Sequence, residues 1–127
     1  MYDACVQAGR CSAPGVAEDG KIGRAHCTHG RVGLEVTPVN CVTPLDADAY
    51  CAYAGKRLPS EEEWEWAAAG REDDRRFVWG SGYGIPEGVC WKRKADGPCD
   101  VGISSADVTR DGVKDMAGNV QEWRTST

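Results

Sequence analysis

The stretch from Cys41 to Gly70, CVTPLDADAYCAYAGKRLPSEEEWEWAAAG, constrains the fold more than any other part of this chain. It predicts two helices joined by a tight basic elbow. Thr43 can cap the first helix, with Pro44 at its first position, where a missing N–H costs nothing. Ala47, Tyr50, Cys51 and Ala54 follow at helical spacing and predict one buried face. Gly55 stands where a left-handed residue closes a helix. Ser60 then caps the second helix, and Glu63 three residues on completes a capping box. Glu61, Glu62 and Glu63 all lie in the first turn, where the helix dipole favours negative charge. Trp64, Ala67 and Ala68 form the inner stripe, and Gly70 ends it. Taken alone, this pattern supports only a well-capped pair of helices.

The rest of the chain is poor in periodic signal. A length of 127 residues sets a limit of one domain. With 16 glycines and a mean hydropathy of -0.50, the composition fits a loop-rich fold with a modest core rather than a helical bundle. A net charge of -5 argues against a nucleic-acid partner. No apolar run approaches the ~20 residues needed to cross a bilayer. The N-terminus lacks the basic and apolar regions of a signal peptide.

Around the helices, Met1 to Gly9 reads as a short helix capped by Asp3. Cys11 to Pro38 reads as a long irregular loop that Cys11 and Cys27 could staple. His26 and His29 flank Cys27. That crowding allows a metal site, but its short spacing suits tetrahedral geometry poorly and favours a solvated loop. Val39–Val42 and Val101–Ser105 are expected to be short strands. Phe77–Gly80 is a strand or turn with buried aromatic residues. Arg71–Arg76 reads as a solvated charged turn, and Asp107–Asp111 as a polar loop. Cys90 and Cys99 flank a candidate hairpin with a turn at Asp96-Gly97, which predicts a Cys90–Cys99 bridge.

Seven cysteines without a CxxC spacing indicate a disulfide framework and an oxidising, extracytoplasmic or secreted setting rather than a zinc knuckle. The odd number leaves one cysteine without a partner inside the chain.

The sequence closes on DMAGNVQEW, Asp115 to Trp123, which concentrates oxygen donors around a glycine. Asp115 and Glu122 converge if the backbone folds back at Gly118-Asn119, with carbonyls turned inward. Hard oxygens of this kind suit Ca²⁺, which takes about 6–8 of them. The alternative is that both carboxylates cap turns and pair with Arg57 or Lys56.

Three segments in order, Ala49–Gly70, Phe77–Gly80 and Asp115–Trp123, resemble the formylglycine-generating enzyme family, also called the sulfatase-modifying factor domain. The resemblance runs from about Val39 onward and extends weakly to Tyr2–Cys11. It implies an α+β, irregular, loop-rich, C-type-lectin-like fold with two core helices and short strands, with residues 1–127 forming part of one such domain. It implies that the chain begins inside the domain, after the usual opening strands. It also implies a structural calcium ion held by the side chains of Asp115 and Glu122 and the carbonyls of Gly118 and Val120.

Enzymes of the family oxidise a sulfatase cysteine to formylglycine with copper held by two thiolates, a soft donor pair suited to Cu(I). The resemblance places that pair beyond Trp123, outside this chain, so no catalytic residue is assigned here and copper is not expected in it. Cys51 matches a family position that often bridges to a late cysteine, so the resemblance makes it the unpaired one. Cys5, Cys11, Cys27 and Cys41 then have three possible pairings. Two functions follow. One is a part of an oxidoreductase acting on a protein or peptide substrate, inactive alone. The other is a non-catalytic ligand-binding or sensory module on the same scaffold, favoured by Pro44 and Gln121 where the family commonly has Trp.

Overall fold

The computed structural model describes residues 1–15, 27–92 and 97–125. They form two compact units, Met1–Leu58 and Pro59–Thr127. Among the described residues there are three α-helices, α1 (Tyr2–Gln7), α2 (Pro44–Tyr53) and α3 (Glu61–Ala68), and one 3-10 turn at Arg71–Asp73.

The helix ends follow the sequence closely. Thr43 caps α2 and accepts the Asp46 N–H, while the Asp46 carboxylate reaches back to the Thr43 N–H. Ser60 and Glu63 make the same reciprocal pair on α3. Each pair satisfies two amide donors that a helix start otherwise leaves open. Gly55 and Gly70 take left-handed φ values of 69° and 73° just past the two helices. Asp3, however, is not a cap. α1 starts two residues earlier than such a cap would allow, with Met1 in the capping position.

In the first unit, α1 lies against α2 through Tyr2 and Tyr50, whose ring centroids are 5.4 Å apart. Tyr2 also meets the edge of His29 and donates its hydroxyl to the Ser12 carbonyl. The face of α2 expected to be buried is only half-buried at Ala47, Tyr50 and Cys51, and Ala54 is exposed. Thr28 organises the 27–40 loop. Its N–H donates to Asn40 Oδ1 and its hydroxyl to the Pro38 carbonyl, both at 2.8 Å.

Disulfides join Cys5 to Cys11, Cys27 to Cys41 and Cys90 to Cys99, and Cys51 is a free thiol. The Cys90–Cys99 bridge and the unpaired Cys51 are as expected. The staple between Cys11 and Cys27 is not formed. Cys11 folds straight back onto α1 through two amides, its own and that of Arg10, which both donate to the Cys5 carbonyl.

The loop-rich character is as expected, but the β part of the α+β expectation is not seen among the described residues. Only isolated bridges occur, between Ser60 and Thr125, Phe77 and Gly80, and Val108 and Lys114. The strands expected at 39–42 and 101–105 are interrupted by left-handed backbone at Cys41 (φ 57°) and Gly102 (φ 68°), which ends an extended run. The tip of the 90–99 hairpin and His26 lie outside the described residues.

In the second unit the buried apolar residues are few: Val78, Cys99 and Met116. Ser104, Asp107 and Thr109 are also buried. The charged turn after α3 is a network: Arg71 grips Asp111 at 2.7 Å, and Asp73 takes both Arg75 and Arg110.

Candidate functional site

The segment from Asp115 to Trp123 is built around buried Asp107. The Asp107 side chain accepts the Ala117 N–H at 3.0 and 3.1 Å, with the Met116 and Gly118 amides also directed at it. Its own N–H and that of Ala106 donate to Ser104 Oγ. Burial pushes the Asp107 carboxyl above its ordinary value, against the pull of the amides, and the charge of Asp115 adds to the rise. Nothing in the sequence reading singled out Asp107. The available signal was Ser104 three residues before it, a spacing in which a serine hydroxyl takes a following amide.

Gly118 and Asn119 then bring this bend against the Cys90–Cys99 bridge. A Cβ at Gly118 would sit 2.7 Å from the Cys90 carbonyl oxygen, so only glycine fits without a shift. Asn119 takes a left-handed φ of 67° and donates its N–H to the same carbonyl. Beyond the bend, residues 122–125 run along the start of α3. Trp64 Nε1–H donates to Glu122 Oε2 at 2.6 Å, Arg124 pairs with Glu61 at 2.8 Å, and the Thr125 N–H donates to the Pro59 carbonyl.

An open groove of about 660 Å³ follows this surface. Gly118, Val120 and Glu122 line it together with the indoles of Trp64, Trp91 and Trp123. Asp115 does not line it. Its Oδ2 accepts the Gly102 N–H at 2.6 Å, and its Oδ1 is buried without a hydrogen-bond partner. Three of the four expected calcium ligands therefore share one surface, and the fourth is anchored at the Gly102 loop.

The donor chemistry of these residues fits a hard cation. Each carboxylate has one oxygen pinned by an N–H donor at 2.6 Å, and Asp115 Oδ1 is buried without a hydrogen-bond partner. Such an oxygen is costly to bury unless something positive meets it. Among the described residues no three His, Cys, Asp or Glu side chains gather as a metal cluster. His29, the other candidate, stands 2.6 Å from Asp3 Oδ1, at ion-pairing distance but outside hydrogen-bond geometry.

The sequence matches the sulfatase-modifying factor enzyme 1-like domain over residues 1–127. The chain belongs to this family. The sulfatase-modifying factor domain is also similar to curated proteins of different activities. It is 39% identical over 98 residues to the inactive C-alpha-formylglycine-generating enzyme 2 of Bos taurus, covering 70% of this chain and 33% of the relative. It is 40% identical over 92 residues to the hercynine oxygenase of Mycolicibacterium smegmatis, covering 70% and 22%. It is 36% identical over 99 residues to the formylglycine-generating enzyme of Streptomyces coelicolor, covering 68% and 31%. The chain thus spans a third or less of the relatives' own length.

In this sulfatase-modifying factor domain the thiols do not fit a copper centre. Six of the seven cysteines are oxidised in three bridges, and Cys51 alone cannot supply two thiolates. The three bridges accord with an oxidising environment. No helix among the described residues is long and apolar enough to cross a membrane.

Proposed function

We propose that this chain is the scaffold portion of a formylglycine-generating-type domain, located outside the reducing cytoplasm, and that it holds a structural calcium ion rather than the redox metal. One observation carries this reading: every cysteine but Cys51 is consumed in a disulfide. A copper centre with two thiolates therefore has to draw its donors from other residues of the intact protein. The oxygen donors in this reading are Asp115 and Glu122 by side chain and Gly118 and Val120 by carbonyl; the last three line one groove, and Asp115 would have to join them from the Gly102 loop. Calcium bound there would tie the bend to the wall formed by α3 and the Cys90 segment. The intact protein then acts on a cysteine within a protein or peptide substrate.

A second reading is supported by the similarity to a relative whose name marks it as inactive: a non-catalytic module on the same scaffold. Copper-loaded intact protein incubated in air with a sulfatase-derived cysteine peptide separates the two. Aldehyde on the peptide, detected by hydrazide capture and mass spectrometry, supports the oxidoreductase. No aldehyde from fully copper-loaded protein supports the non-catalytic module.

A further inference from the structure

Glu122 is held by one strong contact that no feature of the DMAGNVQEW motif provides. Trp64, on the inner stripe of α3, reaches across 58 residues of sequence to place its indole Nε1–H on Glu122 Oε2 at 2.6 Å. We infer that Trp64 is a positioning residue for the cation site, restricting the rotamers of the Glu122 carboxylate by holding its Oε2. The inference rests on the calcium reading above.

The physical argument is one of rotamer freedom. A glutamate side chain loses several rotors when it is ordered, and an exposed one has no reason to stay in a ligating position. Glu122 is exposed. Its backbone is set by the Arg124–Glu61 and Thr125–Pro59 contacts on either side of the α3 start, but those contacts do not orient the carboxylate. The indole N–H does. Trp is a donor only, so its bond always engages the carboxylate as an acceptor and cannot invert. Asp115 shows the same arrangement with a different donor, the Gly102 amide on Oδ2, which leaves Oδ1 buried and open. Carboxylates that ligate a metal are in turn held by outer hydrogen bonds, and losing such a partner typically weakens metal affinity 10–100-fold. The bond also keeps the polar edge of the half-buried Trp64 satisfied.

The test is calcium titration of the intact protein by calorimetry, for the natural sequence and Trp64→Phe. Phe keeps the ring and removes the N–H. The expected result is that the natural protein binds calcium and Trp64→Phe binds it at least about tenfold more weakly, with its melting temperature in EDTA changed far less than the calcium-induced increment. Equal affinity in the two proteins overturns the role of Trp64 and leaves the site intact. No calcium binding by the natural protein overturns the site itself, and this inference with it. If Trp64→Phe does not fold, the indole N–H resonance of Trp64 in the natural protein gives the answer. It should shift and gain protection from exchange on calcium addition, and an unmoved resonance at saturating calcium overturns the inference.

Discussion

Asn119 grips Cys99 on both sides of its peptide: Oδ1 accepts the Cys99 N–H at 2.9 Å, and Nδ2 donates to the Cys99 carbonyl at 3.3 Å. Its own backbone N–H takes the carbonyl of Cys90, so one residue binds both ends of a disulfide. Asn is suited to this because it combines a donor and an acceptor with tolerance of the left-handed φ of 67°. Asn119→Ala leaves the buried Cys99 amide unpaired and adds backbone strain, which together cost about 2–4 kcal/mol. Asn119→Gly loses the same side-chain bonds without the strain and costs about 1 kcal/mol less. Urea denaturation of the three proteins checks this, and equal losses in both variants would show that the backbone conformation contributes nothing.

Gly118 makes a steric claim that can be separated from conformational freedom. An alanine there puts its Cβ 2.7 Å from the Cys90 carbonyl oxygen, which is itself fixed by the Asn119 amide. Overpacking of this kind costs about 1–3 kcal/mol. Gly82 is the control, since a Cβ there meets nothing within 4 Å and its φ is not in the left-handed region. Gly82→Ala should be neutral or slightly stabilising, by less than about 1 kcal/mol. Thermal melts of both variants decide the matter, and similar melting temperatures would refute the close approach.

These two residues also show how far the sequence could be read. Where structure is dictated by neighbours in the chain, the reading holds: the Thr43 cap, the Ser60–Glu63 capping box, the closing glycines of α2 and α3 and the Cys90–Cys99 bridge each depend on residues less than ten positions apart. The family motif marked Gly118 and Glu122 but not what they touch. Trp64 and Glu122 are 58 residues apart, and no periodicity in either segment encodes their bond. Asp107 sat in an apparently polar loop, and burial of an aspartate is visible only once the amides of residues 116–118 close on it. The expected strands failed for the converse reason. Short runs such as Val101-Gly102-Ile103 carry β-prone side chains, but the chain turns at Gly102 and leaves both neighbours exposed.

The disulfides define a thiol count and a stability. Unfolded, unreduced protein should give about one thiol per chain with Ellman reagent, from Cys51 alone. Three or more would contradict the three bridges. Cys27–Cys41 closes a loop with a sequence separation of 14. Replacing both cysteines with alanine frees that loop in the unfolded chain and should cost about 3 kcal/mol. Cys51→Ser removes no bridge from a half-buried position and should cost less than about 1 kcal/mol. Guanidinium titrations of the two variants give the comparison, and a Cys51→Ser loss as large as the bridge deletion would assign that thiol a structural role.

Asp107 predicts an unusual pH dependence for the calcium-free protein. Its carboxyl is raised in the folded state chiefly because burial disfavours the charged form, whereas the unfolded chain titrates near the ordinary value of 3.8. The folded state therefore binds the Asp107 proton more tightly than the unfolded state does. That contribution to stability is fully present below pH 3.8 and is lost as pH rises through the raised folded value. Asp107→Asn keeps an acceptor for the Ala117 amide but cannot titrate. The melting temperature of the natural protein minus that of Asp107→Asn, measured in EDTA, should be most favourable to the natural protein at the acid end. It should fall as pH increases through the raised folded value. A difference that instead grows with pH would mean that the amides of residues 116–118 outweigh desolvation and hold Asp107 ionised.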